Sequence, residues 1–165
     1  MGDEGRVVSV LCVGLGGGGV LLAGEILARA ALLAGLDVKK SEVHGMSQRG
    51  GGVTSHVRFG PAVHSPLIPI GKADYILALS SEEGDKYRPY LREGGAFLVL
   101  PGDVAGALPN PRTANVAAVG LLSGRLPLPG GVWEEAVRGS VPAGTEDANW
   151  KAFLAGAAGS AEGER

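Results

Sequence analysis

The chain has 165 residues, 45% hydrophobic and 19% charged, enough apolar content to bury one core and too much for a disordered segment. A net charge of −2 speaks against a nucleic-acid backbone as the main partner, and 5% aromatic residues leave few rings for base stacking. One cysteine, Cys12, cannot hold an iron–sulfur cluster or a disulfide framework, so a reducing, cytoplasmic setting is expected. The acidic opening MGDEGR predicts no secretion signal. Glu25 and Arg29 interrupt the apolar stretch Gly14–Leu36, so no membrane span is expected.

Val7–Leu22 reads VVSVLCVGLGGGGVLL, a β-branched run meeting a glycine cluster. The pattern predicts a buried strand, a tight turn and the start of a helix. Gly14, Gly16 and Gly19 satisfy G-x-G-x-x-G. In that motif Gly14 turns the chain at positive φ, Gly16 admits a ligand to the backbone, and Gly19 packs helix on strand. The N–H groups of Gly17, Gly18 and Gly19 would then form an anion-attracting helix N-terminus. A turn that merely joins strand to helix has the same pattern.

Val20–Ala34 has helical apolar spacing, with Gly35 as the stop. Asp37–Val43 reads as a strand with Lys39, Lys40 and Glu42 at a solvated end. His44–Gly52 (HGMSQRGGG) reads as a loop needing unusual backbone angles at Gly50, Gly51 and Gly52. Val53–Phe59 alternates, with Val53, Ser55, Val57 and Phe59 on one face and Thr54, His56 and Arg58 on a polar one. Val63–Ile70 is extended, its two prolines permitting only edge pairing.

Asp74–Leu79 and Ala96–Leu100 read as buried strands around a helix that Ser80 or Ser81 caps and that runs to about Tyr90. Pro101–Pro111 reads as a crossover loop, Thr113–Leu122 as a small-residue helix, and Val132–Arg138 and Asp147–Ala158 as short amphipathic helices. The chain is small and polar from Gly156 and is expected to fray. The sum is a single-domain α/β, Rossmann-like three-layer fold. Its sheet is mainly parallel with an antiparallel excursion around 53–70, its domain spans 1–158, and 159–165 form a frayed tail.

In open α/β sheets ligands gather at the carboxyl ends of the strands, which places Gly14–Gly19 beside His44–Gly52. Arg49 supplies a planar fork for carboxylate or phosphate, Ser47 and Gln48 supply neutral hydrogen-bond groups, and Gly50 and Gly51 supply backbone N–H groups. The candidate rim is thus Gly14, Gly16, Gly17, Gly18, Gly19, Ser47, Gln48, Arg49, Gly50 and Gly51. A solvated glycine loop with a surface arginine is the plainer alternative. His44 is expected to be a buried structural histidine, while His56 and Arg58 either meet a partner or face solvent. The three histidines have no metal-ligand spacing.

The run GLGGGGVLLAGEILARAALLAGLDVKKSEVHGMSQRGGGVTSHVRFG, followed by VHSPLIPIGKADYILAL, resembles the gamma-type component of the 2-oxoacid:ferredoxin oxidoreductases. Within that family it most resembles the small (beta) subunit of indolepyruvate ferredoxin oxidoreductase. Asn115 and the Asn149–Phe153 segment also stand where the family has asparagine-containing helices. The resemblance implies a subunit that bears neither thiamine diphosphate nor iron–sulfur clusters and packs on a large partner subunit that does. It further implies a rim that helps enclose coenzyme A, ferredoxin as electron acceptor through the complex, and no catalytic residue or metal in this chain. The implied reaction is oxidative decarboxylation of an arylpyruvate to an aryl-acetyl-CoA, carbon dioxide and reduced ferredoxin. Gly102-Asp103-Val104 departs at its third position from the Gly-Asp-Gly of thiamine diphosphate sites. Three other readings compete or coexist: a free-standing NAD(P)-binding oxidoreductase with Glu42 as ribose reader, a small regulatory ligand-binding domain, and a homodimer covering the partner surface.

Overall fold

The computed structural model describes residues 5–44 and 51–162, with side chains as far as Gly159. Its five strands are β1 (Val8–Leu15), β2 (Asp37–His44), β3 (Gly52–Gly60), β4 (Ala73–Ala78) and β5 (Leu91–Val99), in the spatial order β2-β3-β1-β4-β5. β1 pairs in parallel with β4 and antiparallel with β3; β3 is antiparallel to β2, and β4 is parallel to β5. Four strands therefore point one way and β3 alone runs against them, the antiparallel excursion expected after residue 52. It is confined to β3, because Val63–Ile70 adds no strand.

The helices are α1 (Val20–Leu33), α2 (Ser81–Asp85), α3 (Gly102–Ala107), α4 (Ala114–Ser123), α5 (Val132–Ser140) and α6 (Glu146–Glu162). β1 is buried from Val8 to Gly14, and its alternate residues serve two cores. Val8, Val10 and Cys12 pack with Val57, Phe59, Leu77 and residues of α1, α4, α5 and α6. Leu11 and Val13 pack on the other face with Ile76, Ile68 and the rings of Tyr87 and Tyr90. A central strand covered on both sides has no polar face, which is why it reads as one apolar run. Burial pushes the Cys12 thiol up to about 12.

Several boundaries differ from expectation. Gly35, at φ 83°, closes α1: its N–H donates to Leu32 O, and that of Leu36 donates to Ala31 O. α2 begins as expected, with Ser80 Oγ accepting from Glu83 N at 3.3 Å, but ends at Asp85. Pro89 disfavours helix at Arg88 before it, and a 3-10 turn follows at Arg88–Tyr90. The Arg88 guanidinium lies 3.8 Å over the Phe97 ring, and β5 starts at Leu91, five residues before the apolar run that signals it. α3 occupies part of the expected crossover loop, and α6 continues to Glu162 through the stretch expected to fray.

The segment 61–72 lies across the second face as a strap, with three side-chain tethers in place of a ladder. Val63 N donates to Asp37 Oδ2 at 2.7 Å, Arg58 Nη1 to Ser65 O at 2.8 Å, and Ile68 N to His56 Nδ1 at 3.1 Å. Pro66 and Pro69 have no N–H to offer a neighbouring strand. His56, expected at a solvated or partner-facing position, is therefore buried at 7% exposure with Tyr90 edge-on to its ring. Burial lowers the His56 pKa below its ordinary value of 6.5. The bond from Val63 N lowers that of Asp37.

On the first face, α4 and α6 cross at glycines. A β-carbon at Gly120 would overlap the carbonyl of Phe153, and one at Gly156 the carbonyl of Ala117. Trp133 and Trp150 bracket Phe153 with ring centroids 5.4 and 5.1 Å away, tying α5 to the same crossing.

Overpacking usually costs about 1–3 kcal/mol, and here the obstacle is backbone that no rotamer change can move. Gly156→Val should therefore lower the unfolding free energy in urea by about 3 kcal/mol; a loss under about 1 kcal/mol would contradict the crossing. His56 makes a separate prediction. Its folded pKa lies below the unfolded one, so the unfolded chain takes the proton first, and stability falls as pH drops through the unfolded value of about 6.5. Thermal melts should be level above about pH 7 and decline below it, and His56→Gln, which keeps an acceptor for Ile68, should flatten the decline. Asp37 acts in a lower window, since a depressed carboxylate pKa loses its contribution only below about pH 4.

Candidate functional site

The carboxyl ends of β1, β2, β4 and β5 meet the start of β3 at one edge of the sheet. Leu15 pairs with Gly52, and just beyond that pair Gly16 N donates to Gly51 O at 3.0 Å. The two glycine-rich stretches expected to be neighbours are thus bonded to each other. Gly14, Gly16, Gly17, Gly18, Gly19 and Gly51 all lie on this rim; Ser47, Gln48, Arg49 and Gly50 are outside the described residues.

The glycines divide their work differently from the motif reading. Gly14 belongs to β1 and has no positive φ; a β-carbon there would come within 2.7 Å of Val20 Cγ2 and 3.2 Å of Leu79 Cβ, so Gly14 does the strand–helix packing. The turn is made at Gly17 (φ 84°) and Gly19 (φ 83°). Gly18 N donates to Leu15 O at 2.9 Å, closing that turn, so neither Gly16 nor Gly18 keeps its N–H for a ligand. What remains for an anion is Gly17 N and Gly19 N, which donate to no backbone group among the described residues, with the first turn of α1, which Gly19 caps without a side chain. A β-carbon on Gly19 would overlap the Asn115 amide, whose Nδ2 donates to Gly19 O at 3.2 Å. No described residue lies within 4 Å of the corresponding position on Gly17, so among the described residues the open face of the rim is there.

Two residues at the rim were not among its expected members. Asn115, from α4, lines a cleft of about 160 Å³ with Gly18, Leu79, Val99 and Leu100. Its Oδ1 is buried without a hydrogen-bond partner among the described residues. Glu83 has its side chain only 12% exposed, and a β-carbon on Gly52 would sit 2.7 Å from Glu83 Oε2. Lys86 Nζ lies 2.7 Å from Glu83 Oε1. In sequence Glu83 is only an acid in the first turn of a helix, which gives no sign of this second position of the carboxylate. The acid disfavours a phosphate at Gly52 and directs negative charge toward α1.

The rim is also apolar. Leu15, Leu21, Val43 and Val99, all at this edge, are 40% to 46% exposed. His44, expected to be buried, is exposed at the end of β2. Lys40 faces α1, with Nζ 2.9 Å from Glu25 Oε2 and 3.0 Å from Glu42 Oε1, and its hydrogen bond lowers the Glu25 pKa. Glu42 is thereby engaged by lysine, which weakens its case as a ribose reader. Among the described residues no group of three His, Cys, Asp or Glu side chains is placed to share a metal ion, and no helix is long and apolar enough to cross a membrane.

The sequence pattern of the pyruvate ferredoxin/flavodoxin oxidoreductase family matches residues 9–159. The chain is 33% identical to the indolepyruvate oxidoreductase subunit IorB of Archaeoglobus fulgidus, over 90% of this chain and 93% of that one. It is 47% identical over 87 residues to the subunit of that name from Thermococcus kodakarensis, a match covering 53% of this chain and 43% of the relative. The chain thus spans less than half the length of the first curated relatives it matches. Among solved structures, the gamma subunit of a keto/oxoacid ferredoxin oxidoreductase from Geobacter sulfurreducens superposes with a TM-score of 0.79 at 28% identity, over 94% of this chain and 99% of that one. The 2-oxoglutarate:ferredoxin oxidoreductase of Magnetococcus marinus, solved with 2-oxoglutarate, coenzyme A and succinyl-CoA bound, shares the fold at a TM-score of 0.76 and 22% identity, over 96% of this chain and 32% of that one. The glycine rim therefore sits on a fold and a sequence pattern with one source: the chain belongs to the pyruvate ferredoxin/flavodoxin oxidoreductase family and resembles its gamma subunits over nearly its whole length.

Proposed function

We propose that the chain is the subunit without redox cofactors in a 2-oxoacid:ferredoxin oxidoreductase acting on indolepyruvate or a related arylpyruvate. In this reading it lends its carboxyl-edge rim to a larger subunit that carries thiamine diphosphate and iron–sulfur clusters, and electrons leave that subunit for ferredoxin. The observation that carries the reading is the rim itself: two glycine stretches bonded through Gly16 and Gly51, ringed by exposed Leu15, Leu21, Val43 and Val99. A flat, glycine-lined edge lets another backbone or a long ligand approach closely, and exposed apolar side chains around it suit a partner surface. The arylpyruvate assignment draws on the IorB relatives.

The residues present do not fit an iron–sulfur cluster. The one cysteine is wholly buried in β1, with its thiol held protonated. Coenzyme A fits better, and the Magnetococcus marinus enzyme of the same fold binds it. The first-turn amides of α1 offer donors for a phosphate, and Gly17 leaves the approach open. When bound, coenzyme A would supply the thiol that takes the acyl group. The part of this chain is to orient the carrier and exclude water, while decarboxylation and electron transfer take place on the partner.

The purified chain alone should give no 2-oxoacid-dependent reduction of a viologen dye, and adding the thiamine-bearing subunit should restore it. Turnover by the isolated chain would refute the assignment. Two glycine substitutions separate ligand approach from packing. Gly17→Ala meets only the cost of a left-handed alanine, about 1–2 kcal/mol, and should raise the KM for coenzyme A or weaken assembly. Gly19→Ala adds a collision with Asn115 and should lose more stability than Gly17→Ala in the same melts. Unchanged assembly and coenzyme A kinetics in Gly17→Ala would place the ligand and the partner elsewhere.

A further inference from the structure

We propose that the pocket at the opposite, amino-terminal edge of the sheet binds an oxyanion, a phosphate or a carboxylate, between Arg58, Lys72 and Arg92. The pocket has a volume of about 720 Å³ and lies where β1, β4 and β5 begin and β3 ends, with the strap as one wall. It is a different surface from the glycine rim, and the proposal does not depend on the function assigned there.

At its base is Asp74, only 3% exposed. Asp74 Oδ1 accepts from Arg92 Nε at 2.6 Å and lies 2.8 Å from Arg6, while Oδ2 accepts from the backbone N–H of Ser9 at 2.8 Å. One carboxylate thus serves two guanidinium groups and has little acceptor capacity left for a third. Arg58 bonds only to neutral oxygens, Ser9 Oγ at 3.1 Å and Ser65 O at 2.8 Å, and no carboxylate among the described residues pairs with it. Lys72, on the strap, makes no ion pair among the described residues either. The remaining acid of the lining, Glu93, is exposed, and it is its backbone carbonyl that meets Arg92, at 3.0 Å. Among the described residues that line the pocket, four are cations and two, Asp74 and Glu93, are acids.

The arrangement is rigid where it matters. Arg58 is held by β1 and the strap, and Arg92 by Asp74, so both forks are oriented before any ligand arrives. Such preset donors favour a planar or tetrahedral oxyanion through charge-assisted bonds. Lys72 supplies a point charge from the wall.

The full-length chain, titrated at low ionic strength with inorganic pyrophosphate and separately with citrate, tests the proposal by amide chemical shifts and thermal melts. At least one of the two probes should raise the melting temperature, with shift changes at Gly71, Lys72 and Glu93 and none at Gly17 or Gly19. Lys72→Gln, which breaks no bond of the folded state, should weaken that affinity at least fivefold. The stronger probe identifies whether a phosphate or a carboxylate is preferred. The proposal is overturned if sodium chloride at matched ionic strength reproduces the effect, if the shifts fall on the glycine rim, if Lys72→Gln binds as the parent does, or if neither probe binds.

Discussion

A single hydrogen bond, Gly16 N to Gly51 O, extends the β1–β3 ladder one step past its last residue pair, and the geometry of the carboxyl edge follows from it. Among the five described strands, β1 alone has a parallel neighbour on one side and an antiparallel one on the other. Its carboxyl end therefore meets both the turn into α1 and the entry of β3. Without an antiparallel β3 the second glycine stretch would open at the opposite edge, and the rim would have one side. Bonded as they are, the glycines present a low shelf, with Asn115 behind it and Glu83 beneath its far end.

The same bond limits what the shelf can do. A glycine motif of this kind attracts phosphate through uncommitted amides, and here Gly16 and Gly18 have committed theirs to protein. The glycines are needed largely for closeness: Gly14 to Val20 and Leu79, Gly19 to Asn115, Gly24 to Ser55. The described carboxyl edge is largely apolar with one acid set into it, while Arg58 and Lys72, which pair with no acid among the described residues, lie at the other end of the strands. The two ends of one sheet thus offer different chemistry, although the net charge of the chain is only −2.

Most of the framework could be read from the chain. β1, α1, β4 and α4 announce themselves by apolar period and glycine stops, and the reversal at β3 by its alternation. What escaped has physical reasons. The polar face of Val53–Phe59 predicts a partner contact or a solvated surface, because alternation cannot show that a proline segment folds back to cover it; His56 and Arg58 bond that segment. β5 reads short in sequence since its first half, Leu91–Gly95, carries charge and glycine at the sheet edge. Spacing gives Gly14 the turn and Gly19 the helix–strand packing, whereas the chain turns at Gly17 and Gly19 and packs helix on strand at Gly14, since spacing fixes neither φ nor the distance to a neighbour. Glu83 stands in sequence only as an acid near the start of a helix, because its meeting with Gly52 joins residues 31 apart in the chain.

Proline is what disqualifies the strap from the sheet, and it is also what lets so few bonds hold the strap in place. Three side-chain hydrogen bonds and the burial of Val63 and Ile68 hold its twelve residues to one path. Pro61, Pro66 and Pro69 shrink the freedom of the detached segment before it ever docks, by about 0.4–1 kcal/mol each. The attachment is thus encoded as much in how little the loose segment can wander as in the contacts it makes once home.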